Sequence, residues 1–375
     1  MIQRADYDEN FVEDLKIEDE ILRSKAAEVT DWRKSSGLDG LVGGLQAVII
    51  NTEPELHQAA AEELLRYTNL DFQGAFQDAS RRTYVLKTPS YIEFRSADFL
   101  ITSSKDPDPF RVVNMAPKSR HLPSTRLDTF IFETIDLEKY VSIQLSQGVK
   151  FRSRNIIEGE NYLFIQTRPS RLTGNSLGFI EWNGTKGNYR SRGSEELFLY
   201  LRKPEHAHFK NIRWLDHAAT RVKAQDRNEA ILEFMRLTNY YFDFAVYVPS
   251  LNSITSVARL SDVDYAMVFT TGIKPYISDD VSGPTEKFIH NYGTRVHHIA
   301  FQTEQIEQTY QDLAQDGLRY LIELVGSPDE GLKQTFTEPS KNTLLVTEYI
   351  HRYGDFDGFF TKSNVTLLTE STSRQ

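Results

Sequence analysis

Nine histidines and no cysteine define the chemistry open to this chain. Without thiolates there is no disulfide scaffold, no cysteine nucleophile and no Cys-ligated zinc or iron–sulfur centre. A bound metal must therefore rest on imidazole and carboxylate. Three residues stand in strand-like runs from which they could share one ion: His217 in WLDHAAT, His298 in VHHIAFQT and Glu348 in LLVTEY. A hydrogen-bonded strand fixes the direction of a ligand side chain better than a loop does. His351 lies three residues beyond Glu348, so on a regular strand it points to the other face and is not counted as a ligand. His206 and His208 have period-two spacing, but they sit in the polar, proline-containing stretch RKPEHAHFKN and read as a solvated loop.

The elements that must position these residues repeat along the chain. Gly44 to Phe72 and Trp214 to Phe242 share a β-like run, a turn, an Ala/Glu/Leu-rich helix pattern and a Thr-Asn pair, with Thr68 and Thr238 offset by 170 residues. Asp128 to Phe151 and His297 to Leu321 share a strand, a threonine and a helix of period about 3.6, with Thr134 and Thr303 offset by 169. GFIEW and LVTEY pair Glu181 with Glu348 at an offset of 167. Three nearly equal offsets in one order indicate a tandem duplication. Between the helices lie further strand-like runs: TYVLKT, YIEFRS, FLITSS, ITSVARL and YAMVFTT. The predicted fold class is α+β, made of tandem βαβββ modules in two open-barrel halves with helices outside. The division is 1–36 for an N-terminal helical extension, 37–205 for one half and 206–375 for the other, closed by a C-terminal helix. Phe11, Val12, Leu15, Ile17, Ile21 and Leu22 are spaced as the apolar face of the leading helix.

The duplication sharpens the metal reading. Ala47 stands opposite His217 and Thr129 opposite His298, so the two-histidine, one-carboxylate set belongs to the second half alone. Such a set leaves positions open on the ion and is the facial triad of non-haem Fe(II) oxygenases.

Composition narrows the remaining classes. The 375 residues are 39% hydrophobic and 26% charged, enough apolar material for packed cores. A net charge of −10 is a poor match to phosphate backbones, so no nucleic-acid partner is expected. No apolar run is long enough to span a bilayer, and the acidic N-terminus lacks an apolar signal core. A cytoplasmic protein without a membrane partner is expected. No nucleotide-binding glycine loop or G-x-S-x-G nucleophile element occurs.

VHHIAFQT, LKQTFTEPS and TEYIHRYGDFDGFFTKSN resemble the C-terminal half of 4-hydroxyphenylpyruvate dioxygenase and its relatives in the vicinal oxygen chelate superfamily. The resemblance covers about residues 210–370 and is architectural over the first half. It implies Fe(II) held by His217, His298 and Glu348, and a 2-oxo acid that chelates the iron and is decarboxylated with dioxygen. It places Gln334, Ser256, Thr270 and His297 at the substrate, and Phe360 with Phe359 as the gate at the C-terminal helix. The family habit implies a homo-oligomer. The ligand gap of 50 residues between His298 and Glu348 is shorter than in the aromatic pyruvate enzymes, and His297 replaces a family glutamine. These departures leave other readings open: an extradiol-type dioxygenase, another divalent-metal enzyme of the superfamily, or a non-catalytic binding protein.

Overall fold

The computed structural model describes residues 9–90, 96–104, 108–354, 356 and 358–375, with side chains from residue 17 onward. Most of the run YIEFRS and the side chains of Phe11, Val12 and Leu15 lie outside the described residues. The leading helix is α1 (Glu9–Ser36), and the first half contains β1 (Val42–Asn51), α2 (His57–Tyr67), β2 (Asp71–Gln77), β3 (Arg81–Lys87), β4 (Asp98–Ser104), β5 (Arg126–Thr134), α3 (Leu137–Ser146), β6 (Ile157–Glu158), β7 (Tyr162–Gln166), β8 (Ser176–Trp182) and β9 (Glu195–Glu196). The second contains β10 (Ile212–Val222), α4 (Arg227–Leu237), β11 (Tyr241–Val248), β12 (Ser253–Arg259), β13 (Ala266–Thr271), α5 (Pro284–Tyr292), β14 (Arg295–Thr303), α6 (Ile306–Gln315), β15 (Val325–Ser327), β16 (Leu332–Phe336), β17 (Val346–Arg352) and α7 (Lys362–Ser371).

Each half forms one curled mixed sheet with helices outside, as the α+β expectation requires. The second sheet runs β11-β12-β13-β10-β14-β17-β16-β15. The first runs β2-β3-β4-β1-β5-β8-β7-β6 in the same sense, with β9 added beyond β2. The duplication extends to irregularities. The β1–β5 register shifts between Val42/Leu45, Leu45/Ala47 and Ile49/Ile50, and the β10–β14 register shifts at Ile212/Leu215, Leu215/His217 and Ala219/Thr220.

Register also corrects one pairing drawn from sequence. Ile131 faces Gly178 across β5–β8, and its counterpart Ala300 faces Glu348 across β14–β17. The counterpart of Glu348 is therefore Gly178 and not Glu181, whose carboxylate instead accepts the Leu137 N–H at the start of α3. A Cβ at Gly178 would stand 2.8 Å from Phe164. The first half thus has Ala47, Thr129 and Gly178 where the second has His217, His298 and Glu348. Its interior is a cavity of about 350 Å³ lined in part by Ile49, Ile131, Phe164 and Ile180.

The buried stripe of α1 differs from the expected one. Ile17 and Ile21 are exposed, while Leu22, Ala26, Val29 and Arg33 are buried at helical spacing. The Arg33 guanidinium donates to the carbonyls of Thr238 and Tyr240 at 3.1 and 2.6 Å, which fastens the leading helix to the second half. Ile21 and Leu22 are adjacent, and only the docking surface decides which of them turns inward. One apolar cluster runs through both halves, including Phe99 stacked on Phe301 and Phe132 against Phe234. No helix among the described residues is long and apolar enough to cross a membrane.

Candidate metal centre

The centre is built on neighbouring strands of the second sheet. On β10, His217 lies opposite Ala300 of β14, and Ala219 lies opposite His298. Ala300 in turn pairs with Glu348 on β17. Side chains two apart on a strand, and those directly across from each other, share a face. His217, His298 and Glu348 therefore all point into the curl of the sheet. His217 Nε2 stands 3.1 Å from Glu348 Oε2, and His298 Nε2 stands 3.3 Å from the same oxygen. Two ligands at about 2.1 Å from one ion lie about 3.0 Å apart at a right angle and about 3.4 Å apart at the tetrahedral angle. The donor spacing fits a divalent ion. Glu348 Oε1 is buried with no hydrogen-bond partner, and one donor atom from each residue falls within 4.8 Å of the others.

Each imidazole is held from behind. His217 Nδ1 is 2.8 Å from Asp216 Oδ1, and Arg352 grips both oxygens of Asp216 at 2.6 and 3.0 Å. An Nδ1–H donated to Asp216 leaves the Nε2 lone pair facing the centre, which is the form a metal ligand needs. His298 is oriented by His297, whose Nδ1 lies 2.8 Å from His298 Nδ1. Adjacent strand residues ordinarily face opposite ways. Here the register slips between Ala219↔His298 and Thr220↔Val296, so His297 is the extra residue of a bulge. A bulge re-aims side chains in this way beside a site. His297 Nε2 in turn reaches Gln375 Oε1 at 3.0 Å, and the Arg221 guanidinium lies over Phe288 beside it.

Charge follows this framework. Burial opposes the charged form of His217, but Glu348 and Asp216 outweigh it and push its pKa up to about 9. Burial drives His298 well below the usual imidazole range, and His297, His217 and Arg221 act the same way. Burial also opposes ionisation of Asp216, yet the Arg352 charge and the bond to His217 hold its carboxyl below the usual range. A metal ion entering this centre would have to displace the His217 proton. Apparent affinity is expected to fall about tenfold per pH unit below about 9, with about one proton released per ion near pH 7. Calorimetry in buffers of different ionisation heat reads that proton directly, and zero release would contradict it. The same shift stabilises the metal-free fold below 6.5, and this contribution is lost as pH rises through about 9.

The other expected site residues divide by face. Gln334 pairs with Ile350 on the Glu348 face, and both its amide atoms are buried without partners. Thr270 pairs with Arg221 and Thr255, and its buried hydroxyl has no partner. Ser256 is corrected. It pairs with Phe269 on the helix-facing side, where its hydroxyl accepts from Arg227 of α4 at 3.0 Å, and Thr255 is the inward neighbour. His297 approaches the centre through His298. Phe359 and Phe360 precede α7 and set their rings 5.5 and 5.2 Å from the His217 ring. Arg352 lies 4.5 Å from the Phe359 ring and donates to its carbonyl, so the plug is tied to the positioning pair. The His351 Nδ1–H donates to the Thr303 carbonyl at 2.8 Å, outside the curl. Sequence reasoning left Phe336 unassigned, although its ring lies 4.7 Å from that of His298. The period-two step from Gln334 carries that signal.

No protein-family model matches the chain, and no curated protein sequence does. Solved structures do share its fold. A mutant 4-hydroxymandelate synthase from Streptomyces coelicolor superposes with a TM-score of 0.64 at 14% identity, covering 89% of this chain and 99% of that one. A xylose isomerase-like TIM barrel/4-hydroxyphenylpyruvate dioxygenase fusion protein gives a TM-score of 0.57 at 13% identity, covering 89% of this chain and 53% of that one. At these identities the likeness establishes the fold, a duplicated vicinal oxygen chelate arrangement.

Proposed function

We propose that this protein is a non-haem Fe(II)-dependent dioxygenase that oxidatively decarboxylates a 2-oxo acid, with aromatic pyruvates among the candidates. In this reading the half spanning 206–375 holds iron through His217, His298 and Glu348, and the half spanning 37–205 holds none. The observation that carries it is the convergence of two tethered imidazoles on one buried carboxylate oxygen, at 3.1 and 3.3 Å. The fold neighbours support it, since they are a 4-hydroxymandelate synthase and a 4-hydroxyphenylpyruvate dioxygenase fusion protein.

His217, His298 and Glu348 would hold the iron, which when bound would supply chelation of the oxo acid and activation of dioxygen. The chain's own residues do the rest. Asp216 and His297 fix the ring orientations, so both Nε2 atoms are aimed at the centre before the ion arrives. Gln334 and Thr270 present unpaired buried groups to the interior and are suited to a polar substrate. Phe359 and Phe360 cover His217 and keep water from the reacting centre. In this reading the two rings form the gate to the centre.

Oxygen uptake across a panel of 2-oxo acids and catechols, with Fe(II) restored under anaerobic conditions, tests this reading. Expected is uptake with carbon dioxide release for a 2-oxo acid. Uptake with a catechol alone would point to extradiol chemistry. Turnover without oxygen on another divalent ion would make the protein a different metal enzyme of this fold. Ligand binding with no metal would make it a binding protein.

A further inference from the structure

The HAH element does not behave as the solvated loop its composition predicts. Residues Ala207–Asn211 form a 3₁₀ turn, the buried Phe209 anchors it, and the side chain of His208 is only 6% exposed. The two imidazoles stack at 5.1 Å, and both face Asp316, the C-cap residue of α6. His206 Nε2 lies 3.1 Å and His208 Nε2 3.6 Å from Asp316 Oδ2.

These contacts are poor hydrogen bonds. His208 Nε2 and Asp316 Oδ2 are each buried without a hydrogen-bond partner, although they face one another. Buried polar atoms left unpaired in this manner need a reason, and an ion is one. The spacing supplies it: 3.1 and 3.6 Å bracket the separation of about 3.4 Å between tetrahedral ligands at about 2.1 Å from one ion. The three donor atoms all lie within 4.8 Å of each other. The carbonyl end of a helix also favours positive charge. Arg66 takes the Asp316 backbone carbonyl at 2.9 Å, leaving the carboxylate to the imidazoles.

We propose that His206, His208 and Asp316 form a second divalent-cation site, of zinc-binding type, that fastens the segment joining the two halves to the end of α6. Two imidazoles, one carboxylate and a water would complete a tetrahedral shell. The half-exposed His206 edge provides the way in. The site does not depend on the dioxygenase reading.

The test titrates the metal-stripped full chain with Zn²⁺ by calorimetry and counts retained zinc after dialysis. The wild type is expected to hold two ions, His206→Ala one, Glu348→Ala one and the double variant none. Asp316→Asn should reproduce His206→Ala while keeping both rings. Zinc should also raise the unfolding temperature of Glu348→Ala but not of the double variant. A His206→Ala chain with as many zinc ions as the wild type, or a Glu348→Ala chain with none, would overturn the proposal. A single wild-type ion that survives Glu348→Ala and disappears in His206→Ala would uphold this site and count against metal binding at the other.

Discussion

Glu348→Ala is expected to abolish iron retention and oxygen uptake together while leaving the fold intact. Glu348 supplies the only anionic donor of the proposed set, and both imidazole Nε2 atoms converge on its Oε2 at 3.1 and 3.3 Å. Loss of a partner that merely orients a ligand lowers metal affinity by about 10–100-fold. Loss of the ligand itself should exceed that range. Iron analysis after anaerobic reconstitution, an oxygen electrode and circular dichroism read the three effects separately. Iron retained by Glu348→Ala at the wild-type level would refute the ligand assignment.

Asp216→Asn should damage stability and metal binding through one bond network. Asp216 receives two hydrogen bonds from Arg352, and its Oδ1 holds His217 Nδ1. Neutralising it strands the Arg352 charge in a largely buried position, a change that costs about 3–5 kcal/mol. An asparagine can also present its amide N–H₂ to His217, which would favour the wrong tautomer. Iron affinity should then fall by about 10–100-fold. Denaturant unfolding of the metal-free protein measures the first effect, and chelator competition measures the second. A variant as stable as the wild type would show that Arg352 finds another partner.

Much of this centre is legible in the residues themselves. His217, His298 and Glu348 stand out because cysteine is absent and because a repeat gives each half a counterpart to compare. Their convergence follows from strand periodicity once β10, β14 and β17 are neighbours. The Asp216–His217 pair is visible as a dipeptide, but its role depends on Arg352, 136 residues away. The burial of the His206–His208 element depends likewise on Asp316, which composition near residue 206 does not reveal.

Register is where sequence comparison fails. Glu181 looks like the partner of Glu348 because both precede an aromatic residue, yet the strand pairs place Gly178 there. Ser256 and Thr255 exchange faces for the same reason: a one-residue error in a strand reverses which side chain looks inward. His297 shows the opposite effect, since a bulge turns a residue inward that alternation would turn out.

The sequence by itself determined the duplicated α+β plan, the confinement of the histidine–carboxylate set to the second half and the exclusion of thiolate chemistry. Those features depend on residue type and on periodicities repeated within the chain. Only the tertiary structure decided which side of each strand faces the interior, how Asp216, Arg352 and His297 hold the two imidazoles, and that the linker histidines meet Asp316. Those depend on bulges and on contacts between distant segments, where a shift of one residue changes the neighbour and hence the chemistry.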